Sequence, residues 1–298
     1  MESMGTKPVR ALLPVLSLLL ASSLWGVVWY PLRLLEARGL GGLWSALVIY
    51  SAASLPGLIV LWSGRGQLRR RPWGLLVLAL ASGWCNVSFI LAILEGTVVR
   101  VLLLFYLSPL WATMLGWAML REPLTRRSAL MLMPAMAGVV VMSWHPQLRH
   151  LWPQEAADWL AISSGFTFAL ANVLVRKLST VGIPVKTAVT WIGVAGVAAV
   201  WLLLEHSAVP EVTGGWVWGA AAALGWFGII LMTVSVQYGV TNMPVQRSAV
   251  ILLFELVVGA VSSQILTPEV VTPREWLGGA LIVASAYLAA RAQQVHPE

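Results

Sequence analysis

RVLLLFYLSPLWATMLGWAMLREPLTRR, residues 100–127, and RSAVILLFELVVGAVSSQILTPEVVTPR, residues 247–274, decide the fold when one is laid over the other. Arg100 meets Arg247, Glu122 meets Glu269 and Arg127 meets Arg274, each at an offset of 147 positions. Between these charges both stretches are apolar, over residues 101–120 and 248–266. That is about the ~20 residues a helix needs to cross a bilayer. Charges in register inside apolar sequence indicate a duplicated membrane protein, and such duplications are common among transporters.

Composition carries the same message. The 298 residues are 59% hydrophobic and 10% charged, against about 25% charged in a soluble domain. A net charge of +7 raises nucleic acid as a partner, but the basic residues sit in short loops between apolar runs. That is the pattern of membrane topology, not of a phosphate-binding face. The single Cys85 lies in an apolar run, which excludes an intramolecular disulfide and a multi-Cys metal site. His145, His150, His206 and His296 lie in loops or the tail without ligand spacing, so neither metal nor cofactor is expected. Lys7 and Arg10 precede an apolar run that continues to Leu32. That is too long for a signal peptide, and an uncleaved first span is expected.

Ten spans follow from the apolar runs: residues 11–32, 41–63, 73–94, 97–120, 128–144, 156–175, 187–204, 215–238, 248–266 and 273–290. Uninterrupted runs of this length read as helices, because backbone groups in lipid must bond within their own segment. The expected fold is an all-α integral membrane protein. Residues 1–145 form a first five-helix repeat, 146–155 a connecting loop and 156–298 a second five-helix repeat. With the N-terminus in the cytoplasm, 14 of the 19 Lys and Arg residues fall on that side, leaving only Arg33, Arg38, Arg100, Arg149 and Arg274 outside. The positive-inside rule thus predicts that both termini are cytoplasmic. Five spans per half is an odd number, so the two halves are expected to be inverted repeats. Fainter matches run along the same order: Ser22-Ser23-Leu24-Trp25 with Ser163-Ser164-Gly165-Phe166, and Gly83-Trp84 with Gly225-Trp226.

Leu107-Ser108-Pro109-Leu110, followed by Leu120-Arg121-Glu122-Pro123-Leu124, resembles the fourth-span signature of the drug/metabolite transporter superfamily, EamA type. Phe254-Glu255-Leu256 with Glu269 is similar to the counterpart in span nine, and Leu24-Trp25-Gly26 to the opening helix. The resemblance covers nearly the whole chain. It departs at Arg121 and Pro268, where the family often has Gly, and at Leu256, where it often has Pro. It implies an exporter of small metabolites, often amino acids or related compounds, in a bacterial inner membrane. It also implies that spans one, three, four and eight surround a central cavity.

Charged residues inside a span are costly and are functional candidates by default. Glu255 stands about eight residues into span nine, ~12 Å along a helix that rises 1.5 Å per residue. Such a carboxylate could carry a proton through the transport cycle or bind a substrate ammonium; a structural hydrogen-bonded carboxyl is the competing reading. Arg100 and Arg247 open spans four and nine and are candidate gates, with Glu95 as the expected partner of Arg100. The alternative is that each arginine snorkels to its own interface. Glu122 and Glu269 are expected to organise helix-end turns with Arg127 and Arg274. Trp25, Trp29, Trp84, Trp111 and Trp226 are candidate cavity-lining rings, suited to apolar, aromatic or cationic substrates. Asn86, Ser108, Asn172, Thr233 and Gln237 are candidate polar contacts, set against ordinary interhelical hydrogen bonding. A kink at Pro109, with further kinks at Pro31 and Pro134, is expected to expose carbonyls near the midplane. Ala280 and Ala284 would allow close helix contact within the chain or at a homodimer face.

The expected function is a secondary transporter, not an enzyme. It exports an amino acid or related metabolite by alternating access, with multidrug or organic-cation export as the alternative. Its partners are the substrate, the lipid bilayer, a proton as candidate coupling ion and a second copy of the chain as candidate dimer mate. No G-x-x-x-x-G-K-[ST] loop is present to use ATP. An enzyme acting on lipid-linked substrates would have to use His145, His150, Glu155 and Asp158, which lack an identifiable nucleophile or metal spacing.

Overall fold

The computed structural model describes residues 6–96, 98–144, 153–268 and 270–291, and every regular element among them is a helix. The first part of the chain gives α1 (Thr6–Glu36), α2 (Gly42–Ser63), α3 (Arg65–Arg70), α4 (Pro72–Glu95), α5 (Val98–Phe105), α6 (Ser108–Leu120) and α7 (Arg126–Ser143). The second gives α8 (Ala156–Lys177), α9 (Ile183–Leu204), α10 (Trp216–Ala223), α11 (Ile230–Asn242), α12 (Val245–Leu252), α13 (Phe254–Leu266) and α14 (Pro273–Arg291). A π-helical turn, Leu224–Ile229, joins α10 to α11. Eight helical stretches are long and apolar enough to cross a membrane, counting α5–α6, α10–α11 and α12–α13 as one stretch each. The other two long helices, α7 and α14, carry Arg126, Arg127, Arg274, Glu275 and Arg291 within only 18 and 19 residues, which dilutes their apolar character.

Two stretches are broken at matching places. Span four breaks at Tyr106–Leu107 and span nine at Leu253, so Tyr106 and Leu253 preserve the 147-residue offset. The expected kink at Pro109 is therefore corrected by one turn. Proline removes the amide that would bond the carbonyl four residues earlier, and its ring pushes that carbonyl away. For Pro109 that carbonyl belongs to Phe105, the last residue of α5. Pro109 itself sits in the first turn of α6, where its missing donor is not needed. Span nine breaks without a proline, tightening locally through a bond from Leu256 N to the carbonyl of Leu253 at 3.1 Å. Pro31 and Pro134 lie inside helices that continue through them.

The helices pack in matched pairs across the sequence. α4 packs on α8, and α1 on α11; α2 lies along α9, and α7 along α14. Close approach needs glycine at two crossings. A Cβ on Gly193 would strike the backbone carbonyl of Ala79, and one on Gly83 would lie 2.5 Å from the carbonyl oxygen of Gly193, so α4 and α9 touch backbone to backbone. Gly138 and Gly278 do the same for α7 and α14, at 2.7 and 2.6 Å from each other's carbonyl oxygens. Ala280 and Ala284 do not make that contact, contrary to the expectation of packing within the chain. They are exposed and line a surface groove of about 510 Å³ with Val257, Ala260 and Trp276. Most of the connecting loop, residues 145–152, and Glu269 of the repeat lie outside the described residues. Trp62, Trp73 and Trp276 are mostly exposed at helix ends, as interfacial tryptophans should be.

Candidate functional site

The two helix breaks meet. The Tyr106 hydroxyl, at the break in span four, donates to Glu255 Oε1 at 2.6 Å, beside the break in span nine. Tyr106 is 8% exposed and Ser108, two residues on, is 4% exposed, whereas Glu255 is half-buried. Two glycines let neighbouring helices reach these breaks. A Cβ on Gly165 of α8 would lie 2.6 Å from the Phe105 carbonyl oxygen, and one on Gly26 of α1 would lie 2.7 Å from that of Glu255. An aromatic group extends from the pair: Phe105 packs against Tyr106, Phe89 and Phe168, with ring centroids 5.2, 4.9 and 5.6 Å apart. A carboxylate beside aromatic rings can hold an ammonium group by charge and by cation–π attraction. Held in a low-polarity setting, it can also exchange a proton. Replacing Tyr106 with Phe removes one hydrogen bond to a carboxyl group, about 1.5–3 kcal/mol. Tyr106→Phe is expected to slow transport by ~10-fold or more in reconstituted vesicles with normal membrane levels. Unchanged transport would remove Tyr106 from the site.

The other sequence candidates fall into different places. Asn86 accepts from the Tyr50 hydroxyl at 3.1 Å and donates to the Ser82 carbonyl, so it ties α2 to α4. Its neighbour Cys85 offers its carbonyl to the Ser164 hydroxyl at 2.7 Å, tying α4 to α8. Trp29 Nε1 donates to Ser262 at 2.9 Å, and the Ser262 hydroxyl reaches the Gly26 carbonyl at 3.0 Å, so α1 and α13 are joined about two turns beyond Glu255. Trp111 packs edge-on against Phe166, and its Nε1 is buried without a hydrogen-bond partner among the described residues. Gln237 donates to Thr190 at 3.1 Å and leaves its buried Oε1 unpartnered among the described residues. Asn172 and Thr233 are buried, at 8% and 9% exposure. Trp25 packs against a separate core group that includes Tyr50, Trp191 and Met232. Trp84 bonds Ser163 and packs on Trp201. Trp226, in the π-helical turn, is 47% exposed and donates to the Ala52 carbonyl, which puts it on the bundle surface.

The charged expectations need correction. Arg100 pairs with Asp158, not Glu95: its Nε lies 2.5 Å from Oδ1 and its Nη2 2.8 Å from Oδ2. Glu95 is exposed at the helix end and makes no ion pair among the described residues. Asp158 is the better partner because it is rigid, accepting also from the amides of Gln154 and Glu155 at the start of α8. It stands in the first turn of α8. Glu122 likewise pairs with Arg176 at 2.9 Å instead of Arg127. Arg274 donates to the Trp144 carbonyl at 2.9 Å. Arg247 is half-buried and makes no ion pair among the described residues. Removing the Arg100 guanidinium strands a carboxylate whose side chain is 2% exposed. Arg100→Gln is therefore expected to cost about 1.5–3 kcal/mol and to lower the thermal midpoint in detergent. An unchanged midpoint would show that the pair contributes nothing.

Tyr106, Asp158, Arg176 and Lys186 were not singled out as site residues from the sequence. Arg176 and Lys186 stood one residue outside the expected spans 156–175 and 187–204, which made them look like loop charges. Tyr106 gave no signal, because its counterpart at the 147-residue offset is an ordinary leucine, Leu253.

The comparisons with known proteins agree with this architecture. The family model described as the EamA-like transporter family matches twice, over residues 12–144 and 156–291. A Pseudomonas aeruginosa protein described as an uncharacterized transporter is 25% identical over 206 residues, covering 66% of this chain. The alignment spans 65% of that relative's length. One solved crystal structure aligns over 96% of this chain and 98% of its own, with a TM-score of 0.74 and 17% identity. At that identity the likeness is one of fold.

Proposed function

The chain belongs to the EamA-like transporter family, and from that premise we propose that it is a secondary transporter exporting a small metabolite, an amino acid or a related amine-bearing compound. It works by alternating access across a bacterial cytoplasmic membrane. The observation that carries this reading is the Tyr106–Glu255 hydrogen bond, which joins two helix breaks in the middle of otherwise apolar stretches. Broken helices are where repeat transporters usually bind their cargo, because they bring polar groups to the midplane.

In this reading the chain has ten spans in two inverted five-helix halves, with both termini in the cytoplasm. The matched breaks, the matched helix pairs and the excess of Lys and Arg on one side support it. Glu255 receives the substrate ammonium or a coupling proton. Tyr106 holds the carboxylate in place and must turn away, or share it, when cargo binds. Ser108 and the unpartnered Nε1 of Trp111 lie on the next turn of α6 and offer polar contacts to the rest of the substrate.

Export of organic cations is the second reading. It is favoured by the rings of Phe89, Phe105 and Phe168, which cluster next to Tyr106, the partner of the carboxylate. Span one, at residues 11–32, holds no acid of its own. Uptake into proteoliposomes of labelled amino acids and cationic dyes, with and without a pH gradient, tests both. Amino-acid uptake supports the first reading, and dye uptake alone supports the second. Transport of neither class, in vesicles that hold the folded protein, would exclude both.

A further inference from the structure

At the bundle end that carries most of the Lys and Arg residues, five helix ends are tied by one polar network. The α6 helix closes on Arg121, whose φ of 58° is left-handed and turns the chain so that Glu122 points back into the bundle. The Glu122 carboxylate accepts from Arg176 Nε of α8 at 2.9 Å and from the amide of Val245, the first residue of α12, at 3.0 Å. Arg176 Nη1 continues to the Thr241 carbonyl in the last turn of α11 at 3.0 Å. Lys186, in the first turn of α9, is fully buried, and its Nζ donates to Thr241 Oγ1 and to the Val175 carbonyl, both at 2.8 Å. Lys186 has no carboxylate partner among the described residues. A buried ammonium held only by neutral oxygens is expensive, and a leucine would pack the same space at less cost, so Lys186 is poorly explained by stability alone.

Between this network and the Tyr106–Glu255 pair lies an apolar plug: Ala112, Ala169, Val173, Val245 and Ala249, none more than 9% exposed, with the larger Trp111, Leu115, Met119 and Leu120 packed against them. The opposite end is closed differently. There a shallow surface recess of about 520 Å³ lies between the ends of α1 and α13, lined by Tyr30, Arg33, Leu266 and Thr267. Further along α1 and α13 the Trp29–Ser262 contact separates it from Gly26 and Glu255. One end is shut by apolar packing and a charged network, and the other by a single hydrogen-bonded tryptophan beneath a surface recess. Opening the first of these must part the apolar plug and also break the charged network, whose bonds tie five helix ends.

We infer that Glu122, Arg176, Thr241 and Lys186 form the inner gate, which must come apart when the site faces the cytoplasm. This rests on the transporter reading above. It replaces Arg247 with Arg176 and Lys186 as the gate cations.

The test uses the full chain in inside-out vesicles, with Cys85→Ala as background and Ala112→Cys as a probe within the plug. Alkylation of the probe by a water-soluble maleimide is expected to be slow in this parent. Arg176→Gln is expected to speed it by about tenfold, the response to a ~1.4 kcal/mol shift of the opening equilibrium. Thr241→Val, which removes only the hydroxyl that accepts from Lys186, is expected to give a smaller rise and serves if Arg176→Gln does not fold. A second probe, Ala53→Cys, is fully buried between α2 and α9 away from the plug and is expected to stay protected. Rates at Ala112→Cys within about twofold of the parent, in every variant that folds, overturn the gate. An equal rise at Ala53→Cys also overturns it, because it means general loosening. The labelling needs no known substrate, so a failed transport assay would sink the transporter reading without touching this result.

Discussion

Glu255→Gln is expected to reach the membrane at parental levels and to lose at least about 90% of transport, with no remaining response to a pH gradient. The amide is nearly isosteric, and its oxygen still accepts from Tyr106 across the 2.6 Å contact. Packing at the break is therefore preserved while the charge and the exchangeable proton are gone. Glu255→Asp keeps the charge one methylene short and is expected to fall between the two. Counterflow in proteoliposomes separates the roles. A pure proton carrier lost at Glu255 leaves substrate exchange intact, whereas a substrate ligand lost there abolishes exchange as well. A Glu255→Gln variant that transports at the parental rate and keeps its proton response would falsify the assignment.

The second large effect is structural. Gly193→Leu is expected to abolish folded protein, because α4 and α9 already touch backbone to backbone at Gly193 and Ala79. A leucine there must push two long helices apart. Overpacking of this kind commonly costs about 1–3 kcal/mol, and a rigid backbone partner puts this site above that range. Gly196, one turn further on the same helix, meets nothing within 4 Å of an added Cβ. Gly196→Ala is expected to be neutral or to gain up to about 1 kcal/mol from helix propensity. Recovery of monodisperse protein after detergent extraction reads both variants. Comparable yields for the two would show that the α4–α9 crossing is looser than described.

Apolar run length exposed the helices, since a bilayer imposes it directly. The matched charges found the two stretches that break. The position of the breaks was harder, because a proline acts on the carbonyl a turn before it. Pro109 pointed to the right helix and the wrong residue. Glu255 was legible because an acid in apolar sequence has few reasons to be there. Its partner Tyr106 was not, because tyrosine is ordinary in membrane helices. Ion pairs were the least legible. Glu95 and Arg127 were chosen as nearest in sequence to Arg100 and Glu122. The actual partners, Asp158 and Arg176, are 58 and 54 residues away and become neighbours only once the second half folds against the first.

The π-helical turn at Leu224–Ile229 has a thermodynamic meaning. Its stretch, Trp216–Asn242, runs for 27 residues, whereas its counterpart Pro72–Glu95 runs for 24 without such a turn. In the alternating-access reading proposed above, two identical halves related by a two-fold axis in the membrane plane would make the inward- and outward-facing forms equivalent by rotation and equal in free energy. A widened turn in one half alone would lift that degeneracy, so that the empty carrier would rest preferentially on one side. A bias of only ~1.4 kcal/mol holds about ten molecules in one form for each in the other. In the absence of any gradient the protein would still have a preferred face, written into its backbone and not into its cargo.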